Sequence, residues 1–353
     1  MDFEIYLGAN TPEGFYSYFE DFVGKVRKLY IIKGGPGSGK STMMKKIARF
    51  GKDSGVRTVW IYCSSDSDSL DGVFFPDYGI MYVDGTAPHA LEAKTPGARE
   101  ELIDFGQCFD TAGLGGIAGK IQEENEKLRT CYTQCYAYLA AAKNIKARID
   151  EQYTPCSTRL LSRAQRLARR SIGVRRGADA GVRHEVFLSS FTKNGLEKRM
   201  IPDDYQFYPI YDPYSSCGPL MEMLADYAVE NGYEVYAAHD PYVPSGDALH
   251  VLVPQLRMAF VSTGRPFGYE NAPGRHLRFD APDAGADQAA KDRRRRDGRI
   301  LHALEDCAAD ALTRAKAVHD RLEALYHPFV DFSKADQITK TQLEMLDSIF
   351  ASN

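Results

Sequence analysis

Residues 34–41 of the chain read Gly34-Gly35-Pro36-Gly37-Ser38-Gly39-Lys40-Ser41. They fit the pattern G-x-x-x-x-G-K-[ST], in which glycines let successive backbone N–H groups curl around phosphate oxygens. An apolar run, Leu29 to Ile32, comes directly before them, and apolar residues at helical spacing (positions 43, 44, 47 and 50) come after. A strand, a glycine-rich loop and a helix N-terminus in succession predict a phosphate-binding loop, because the positive end of the helix dipole faces the anion.

The side chains of this loop predict its ligand. Lys40 would reach the β- and γ-phosphates of ATP, and the Ser41 hydroxyl would bind Mg²⁺. A glycine-rich turn without a ligand is the alternative, against which the lysine, the serine and the strand-loop-helix context all argue. The residues predicted to contact the nucleotide are Gly35, Pro36, Gly37, Ser38, Gly39, Lys40, Ser41 and Thr42.

A second apolar strand pattern, residues 79–83, ends in Asp84. A carboxylate in this place is the second element on the Mg²⁺ side of phosphate-loop sites, so we predict that Asp84 orients the metal through water and takes part in catalysis. The alternative is an aspartate that only begins a turn. Gly85 follows, where many fast ATPases have a glutamate, which argues against rapid hydrolysis.

Polar residues follow the strand predicted at about residues 56–62. Ligands bind at this edge of open α/β sheets, so Asp66 and Asp68 are candidates to position an attacking water or an acceptor substrate. A polar turn is the alternative. Thr86 and His89 are candidates to sense the γ-phosphate, although a lone loop histidine is also common on protein surfaces.

The two halves of the chain form an internal repeat. Four matched blocks occur in the same order, beginning with Leu7 against Leu188, an offset of 181. In the clearest block, Ala142-Lys143 matches Ala315-Lys316, an offset of 173. The small drift in offset indicates duplication, with repeats at residues 1–180 and 181–353.

Strands alternating with helices predict, in each repeat, a parallel α/β sheet of the P-loop NTPase type flanked by helices. A helical hairpin follows each sheet. In the first repeat this arm spans about 117–172, as a helix over 117–152, a turn at 154–157 and a helix over 158–171. In the second it spans about 298–350, with helices over 298–325 and 334–350. Residues 280–292 are rich in Ala, Asp and Gly and predict a mobile connection.

The second repeat lacks the predicted nucleotide ligands. In the repeat register Lys40 falls on Cys217, Ser41 on Gly218 and Asp84 on Ser262, while Gly37 and Gly39 fall on Tyr214 and Ser216. The sequence therefore predicts one nucleotide site, in the first repeat.

Arginines form a stripe in the second helix of the first arm, at Arg159, Arg163, Arg166 and Arg170. Their spacing places them on one helix face, which could close over phosphates or meet nucleic acid or an acidic protein. A solvated basic face is the alternative. Arg293 to Arg296 are predicted to be exposed charge in the mobile connection.

Composition excludes several classes of protein. The chain of 353 residues has 44 basic and 48 acidic side chains, a net charge of -4, so it is no globally cationic nucleic-acid coat protein. Seven scattered cysteines argue against a disulfide framework, and Cys131 and Cys135 lack a second pair that would complete a metal site. An acidic N-terminus without a signal pattern, and no long apolar run, predict a cytoplasmic protein with no membrane partner.

Four motifs together resemble a family of uncharacterised bacterial tandem-repeat P-loop ATPases. They are Gly8 to Phe15, Lys33 to Thr42, Cys63 to Gly72 and Asp84 to His89. The resemblance spans the first repeat and weakens in the second, where the family has another phosphate loop and this chain has Tyr211 to Gly218. It implies ATP binding and hydrolysis, and it supplies no biological substrate.

The motifs thus lead to an expected function with two alternatives. We expect a Mg²⁺-dependent ATP hydrolase with its active site in the first repeat. The first alternative is a kinase that transfers the γ-phosphate to a small molecule or nucleotide. The second is a non-enzymatic module whose interactions are gated by nucleotide.

Overall fold

The computed structural model describes residues 2–87, 90–150, 158–174, 179–212, 216–264, 267–278 and 288–352. The strands of the first repeat are β1 (Phe3–Ile5), β2 (Gly8–Thr11), β3 (Gly14–Ser17), β4 (Lys28–Lys33), β5 (Val59–Tyr62), β6 (Leu70–Phe75), β7 (Ile80–Asp84) and β8 (Glu100–Asp104). Those of the second are β9 (Arg183–Val186), β10 (Ser189–Thr192), β11 (Gly195–Lys198), β12 (Gln206–Tyr211), β13 (Val235–His239), β14 (Ala248–Val253), β15 (Met258–Thr263) and β16 (Leu277–Arg278). The helices are α1 (Phe19–Gly24), α2 (Lys40–Asp53), α3 (Thr111–Gly116), α4 (Ala118–Asp150), α5 (Thr158–Ser171), α6 (Gly218–Glu230), α7 (Gln288–Tyr326) and α8 (Phe332–Ala351).

Two six-stranded sheets have the same strand order. The first is β1-β5-β6-β7-β4-β8, and the second, read in the matching direction, is β9-β13-β14-β15-β12-β16. Neighbouring strands are parallel except around β6 and β14, each of which is antiparallel to both neighbours. The equal order agrees with the internal repeat. The sheets are mostly parallel, as predicted; β6, a fully buried apolar run, departs from this because it returns directly from β5 without a helical crossover.

The sheets pack face to face across a shared core. This core joins Ile31 and Val59 of the first sheet with Tyr236 and Val261 of the second, all of them buried. The outer face of the first sheet is covered by α2 and the outer face of the second by α6. The order of layers is therefore helices, sheet, sheet, helices. Strands covered on both faces need apolar residues throughout, and β4, β6 and β7 are buried along nearly their whole length.

The helical arms cross from one repeat to the other. The long helices α4 and α7 run antiparallel, with Arg321 bonded to Glu124 at one end and Arg148 to Asp297 at the other. Beyond them, α5 of the first arm packs on α6 of the second repeat. In the same way, α8 of the second arm packs on α2 of the first repeat. Each repeat thus covers the outer helix of the other.

The arms differ from prediction at one connection. Helix α7 begins at Gln288 rather than at Gly298, so residues 288–292 are helical and Arg293 to Arg296 lie within α7. The mobile connection predicted there is wrong for those residues, because a run of Ala, Lys and Arg has high helix propensity. The remaining part of that connection, and the turn predicted at 154–157, lie outside the described residues. No helix in the described part of the chain has the length and apolar character needed to cross a membrane.

Candidate functional site

The Gly34–Ser41 loop joins the end of β4 to the start of α2, as predicted. Gly37 and Gly39 have φ angles of +67° and +98°, in the left-handed region that glycine adopts without strain. Gly39 is the residue immediately before α2, so the loop ends at the positive pole of the helix dipole.

Lys40 lies across the loop and is only 9% exposed. Its ammonium donates hydrogen bonds to the carbonyl oxygens of Gly34, at 2.8 Å, and Gly35, at 3.0 Å. The same nitrogen is 3.7 Å from a carboxylate oxygen of Asp84. The two residues meet because Asp84 ends β7, the parallel neighbour of β4, where it pairs with Ile32.

Asp84 is also bonded within its own turn. Its other carboxylate oxygen accepts from the backbone N–H of Thr86 at 2.9 Å and from the Thr86 hydroxyl at 2.6 Å. Thr86, predicted to sense the γ-phosphate, therefore lies in direct contact with the predicted metal carboxylate. His89 lies outside the described residues.

Ser41 faces the loop between β5 and β6. Its hydroxyl oxygen accepts a hydrogen bond from the Ser69 hydroxyl at 2.8 Å and one from the backbone N–H of Leu70 at 3.3 Å. The Asp66 carbonyl in turn accepts from the Ser69 backbone N–H at 2.8 Å. The segment that carries Asp66 and Asp68 is thus attached to the predicted metal-side hydroxyl.

Asp66 binds two cations of the second repeat. One carboxylate oxygen is 3.3 Å from the Lys193 ammonium, and the other is 3.4 Å from that of Lys316 on α7. Burial raises the pKa of Asp66, but the two lysines and a hydrogen bond from the Asp68 backbone together lower it by more than burial raises it. The pKa of Asp66 therefore lies below its ordinary value. Asp68 is highly exposed, with Lys193 at 3.6 Å. The predicted catalytic role of Asp66 and Asp68 stays a prediction, and Asp66 is a weak base in this arrangement.

Helix α7 reaches the loop as well, which the sequence did not predict. A methyl group at Gly35 would come within 3.1 Å of the Tyr326 ring, and one at Gly37 within 3.4 Å of Glu323. The second arm therefore lies directly against the glycine-rich loop, and a side chain at position 35 would press on the Tyr326 ring. Glu323, His319 and Asp320 offer possible metal-ligand atoms within 4.8 Å of one another.

The equivalent place in the second repeat is a cavity of about 240 Å³. It contains Cys217 and Gly218, which stand where the first repeat has Lys40 and Ser41, and it is reached by α4 of the first arm. Its charged lining is predominantly acidic, consisting of Asp150, Asp212, Asp240 and Asp247 together with Lys146. Asp212 accepts hydrogen bonds from the backbone and hydroxyl of Ser216. Ser262, the counterpart of Asp84, is buried, and Tyr214 lies outside the described residues.

The remaining predicted groups are partly described. Arg166 and Arg170 are exposed on α5, whereas the side chains of Arg159 and Arg163 lie outside the described part of the structure. A phosphate or acidic partner on this face stays a prediction. Cys131 and Cys135 of α4 form no disulfide, and neither do the other cysteines among the described residues.

No protein-family model, curated protein or solved structure matches the chain. The function is therefore inferred from the residues of the site itself.

Proposed function

We propose that the first repeat is a P-loop NTPase site that binds ATP with Mg²⁺ and hydrolyses it to ADP and phosphate. One observation supports this most directly: Lys40, at the junction of β4 and α2, lies 3.7 Å from Asp84 at the end of the adjacent parallel strand. A cation at the start of the helix that follows a glycine-rich loop, with a carboxylate at the end of the adjacent strand, suits a phosphate with its metal ion.

The loop fits a triphosphate in charge and backbone geometry. Its glycines allow consecutive N–H groups to face one anion, and α2 adds the positive end of its dipole. Lys40 would exchange the carbonyl oxygens of Gly34 and Gly35 for phosphate oxygens, which are stronger acceptors because they are charged.

The residues present also fit Mg²⁺, which prefers oxygen ligands. Ser41 would offer its hydroxyl oxygen directly, after releasing the hydrogen bond from Ser69, and Asp84 would hold a metal-bound water. When bound, the ion neutralises phosphate charge and polarises the phosphoryl oxygens. Thr86 would keep the Asp84 carboxylate oriented through its two hydrogen bonds.

A kinase is the second candidate, supported by Gly85. This residue follows Asp84 where many fast hydrolases have a glutamate that activates water. The cation-bound Asp66 does not replace such a base. An acceptor hydroxyl, rather than water, would then take the γ-phosphoryl group.

Turnover by the purified full chain separates the candidates. Release of phosphate from ATP and Mg²⁺ alone supports hydrolysis, whereas ADP formation only with a member of an acceptor panel supports a kinase. Calorimetric binding of ATP without turnover supports a nucleotide-gated module. The absence of ATP binding would overturn the proposal as a whole.

A further inference from the structure

One face of α7 lies along the nucleotide site proposed for the first repeat, although α7 belongs to the second repeat. Lys316 contacts Asp66, Glu323 lies against Gly37 and Tyr326 against Gly35. Their spacing of seven and three residues places all three side chains on the same side of the helix. The helix therefore passes from the loop that bears Asp66 to the glycine-rich loop, and Lys316 is the cation at the Asp66 end.

Lys316 is a half-buried ammonium held by two carboxylates. It pairs with Asp66 at 3.4 Å and with Asp320 one turn further along α7. Burial lowers the pKa of Lys316, but the hydrogen bond and charge of Asp320 and the charge of Asp66 together raise it by more than burial lowers it. The pKa of Lys316 therefore lies above its ordinary value. The side chain therefore carries a permanent positive charge.

Three short contacts connect Lys316 to the predicted metal side of the loop. Lys316 binds the Asp66 carboxylate, the Asp66 carbonyl accepts from the Ser69 backbone N–H, and the Ser69 hydroxyl donates to Ser41. Lys40, by contrast, lies on the Asp84 side of the same loop. A γ-phosphoryl group at this loop would therefore have Lys40 on one side and, on the other, the Asp66–Ser69 segment that holds Lys316.

We propose that Lys316 supplies a second cation to the γ-phosphoryl group, donated by the degenerate repeat to the active one. The inference rests on the proposed ATP hydrolysis in the first repeat. The water oxygen bonds to the γ-phosphorus, the bond to the bridging oxygen breaks with its electron pair left on ADP, and the water proton leaves to solvent. Lys316 moves from Asp66 to the γ-oxygens, where charge must be stabilised as that bond breaks. Asp66 holds the lysine in place before nucleotide binds.

A simple ion pair between the repeats is the competing explanation, and the chain provides two controls for it. Lys193 also binds Asp66, but it lies on the β10–β11 turn and not on the α7 face beside the glycine-rich loop. Lys143 is the repeat counterpart of Lys316, on α4, where it pairs with Glu13 at 2.8 Å. Loss of Lys193 removes an ion pair of similar burial, and loss of Lys143 removes a more exposed one.

The test compares Lys316→Met with Lys193→Met and Lys143→Met in the full chain. Calorimetry with Mg²⁺ measures affinity for ADP and, separately, for ADP with aluminium fluoride, which mimics the γ-phosphoryl group in transfer. We expect Lys316→Met to weaken binding of the fluoride complex and to lower kcat by about 100-fold, the usual loss for one charge-stabilising donor. Affinity for ADP alone and the thermal unfolding temperature should match those of Lys193→Met, and Lys316→Arg should recover part of the loss.

Equal fluoride-complex affinity in Lys316→Met and Lys193→Met would overturn the role of Lys316, whether both variants keep the wild-type affinity or both lose it to the same extent. The wild-type chain reports on the proposed function independently. If the wild-type chain binds and hydrolyses ATP and Lys316→Met does the same, the proposed function stands and only the proposed role of Lys316 is rejected. If the wild-type chain binds neither ATP nor ADP, the proposed function and the proposed role of Lys316 are both rejected.

Discussion

Tyr6 and Phe187 exchange backbone hydrogen bonds with each other. The Tyr6 N–H donates to the Phe187 carbonyl at 2.8 Å, and the Phe187 N–H donates to the Tyr6 carbonyl at 2.9 Å. The two residues are 181 positions apart, the same offset that matches Leu7 with Leu188. Equivalent residues in reciprocal contact are typical of an isologous interface, so the repeats are arranged like the subunits of a two-fold dimer.

The contact between the repeats includes a half-buried ion pair, whose removal should destabilise the chain. Arg57 of the first repeat lies 2.7 Å from Glu234 of the second, and their side chains are 19% and 12% exposed. Arg57→Met would leave the Glu234 carboxylate in a poorly solvated place without its arginine, beside His184 and the hydroxyl of Tyr236. We expect the free energy of unfolding, measured with urea, to fall by about 3 kcal/mol.

Lys46→Met is the matched control for this ion pair. Lys46 pairs with Asp336 at a similar distance of 2.8 Å, but both side chains are well exposed. Its loss should cost less than about 1 kcal/mol, because solvent already screens the pair. Equal effects of the two substitutions would show that burial does not strengthen the Arg57 contact.

The sequence predicts local structure and the repeat better than it predicts contacts between repeats. Residues 34–41 predict the strand-loop-helix unit correctly, and the structure places Lys40 3.7 Å from Asp84. Strand β6 was missed, because an apolar run buried on both faces has no periodicity to distinguish it. Its antiparallel direction follows from the short connection to β5.

The exchange of arms could not be predicted from the repeat. A duplicated sequence has the same pattern whether α8 packs on its own sheet or on that of its partner. The contacts that decide between these arrangements, such as Lys316 with Asp66, join positions 250 residues apart and leave no local signal. The part of the candidate site that comes from α7 therefore required the structure.

Lys40→Ala should abolish productive ATP binding. The ammonium is the cation that the loop directs toward the β- and γ-phosphates, and a charge-assisted bond to phosphate cannot be replaced by alanine. Calorimetry and phosphate release measure the two effects. Lys45, on the same helix but outside the motif, provides the control Lys45→Ala, which should behave as wild type. Unchanged binding and turnover in Lys40→Ala would contradict the site.

Asp84→Asn should reduce Mg²⁺-dependent turnover more than nucleotide binding. The amide keeps the shape of the side chain but removes the negative charge near the proposed metal and next to Lys40. A titration of turnover against Mg²⁺ should show a lower rate and a higher metal requirement. A rate and metal requirement equal to those of wild type would mean that Asp84 only shapes the turn with Thr86.

Low pH should lower the stability of the second repeat, because Glu222 becomes protonated. Burial raises the pKa of Glu222, but the Arg183 side chain at 2.6 Å and the Ala248 backbone N–H together lower it by more than burial raises it. The pKa of Glu222 therefore lies below its ordinary value. A carboxyl whose pKa is depressed by folding stabilises the protein above its unfolded pKa, and this contribution is lost as the pH falls through the folded value. Unfolding by urea between about pH 3 and 7 should show a shallower loss of stability at low pH for Glu222→Gln than for wild type. Parallel curves would exclude Glu222 as a source of the acid sensitivity.

Nucleotide should bind with a stoichiometry of one per chain. The cavity of the second repeat is lined by the carboxylates of Asp212, Asp240 and Asp247, which would repel phosphate. Cys217 stands in place of the loop lysine, and Lys146 in the lining is already paired with Asp150, so a bound triphosphate there would lack the cation of a phosphate loop. We expect calorimetric titration with ATP and Mg²⁺ to show one site, and Cys217→Ala to leave its affinity unaltered. Two sites of similar affinity would contradict this assignment, and loss of one of them in Cys217→Ala would locate the second site in this cavity.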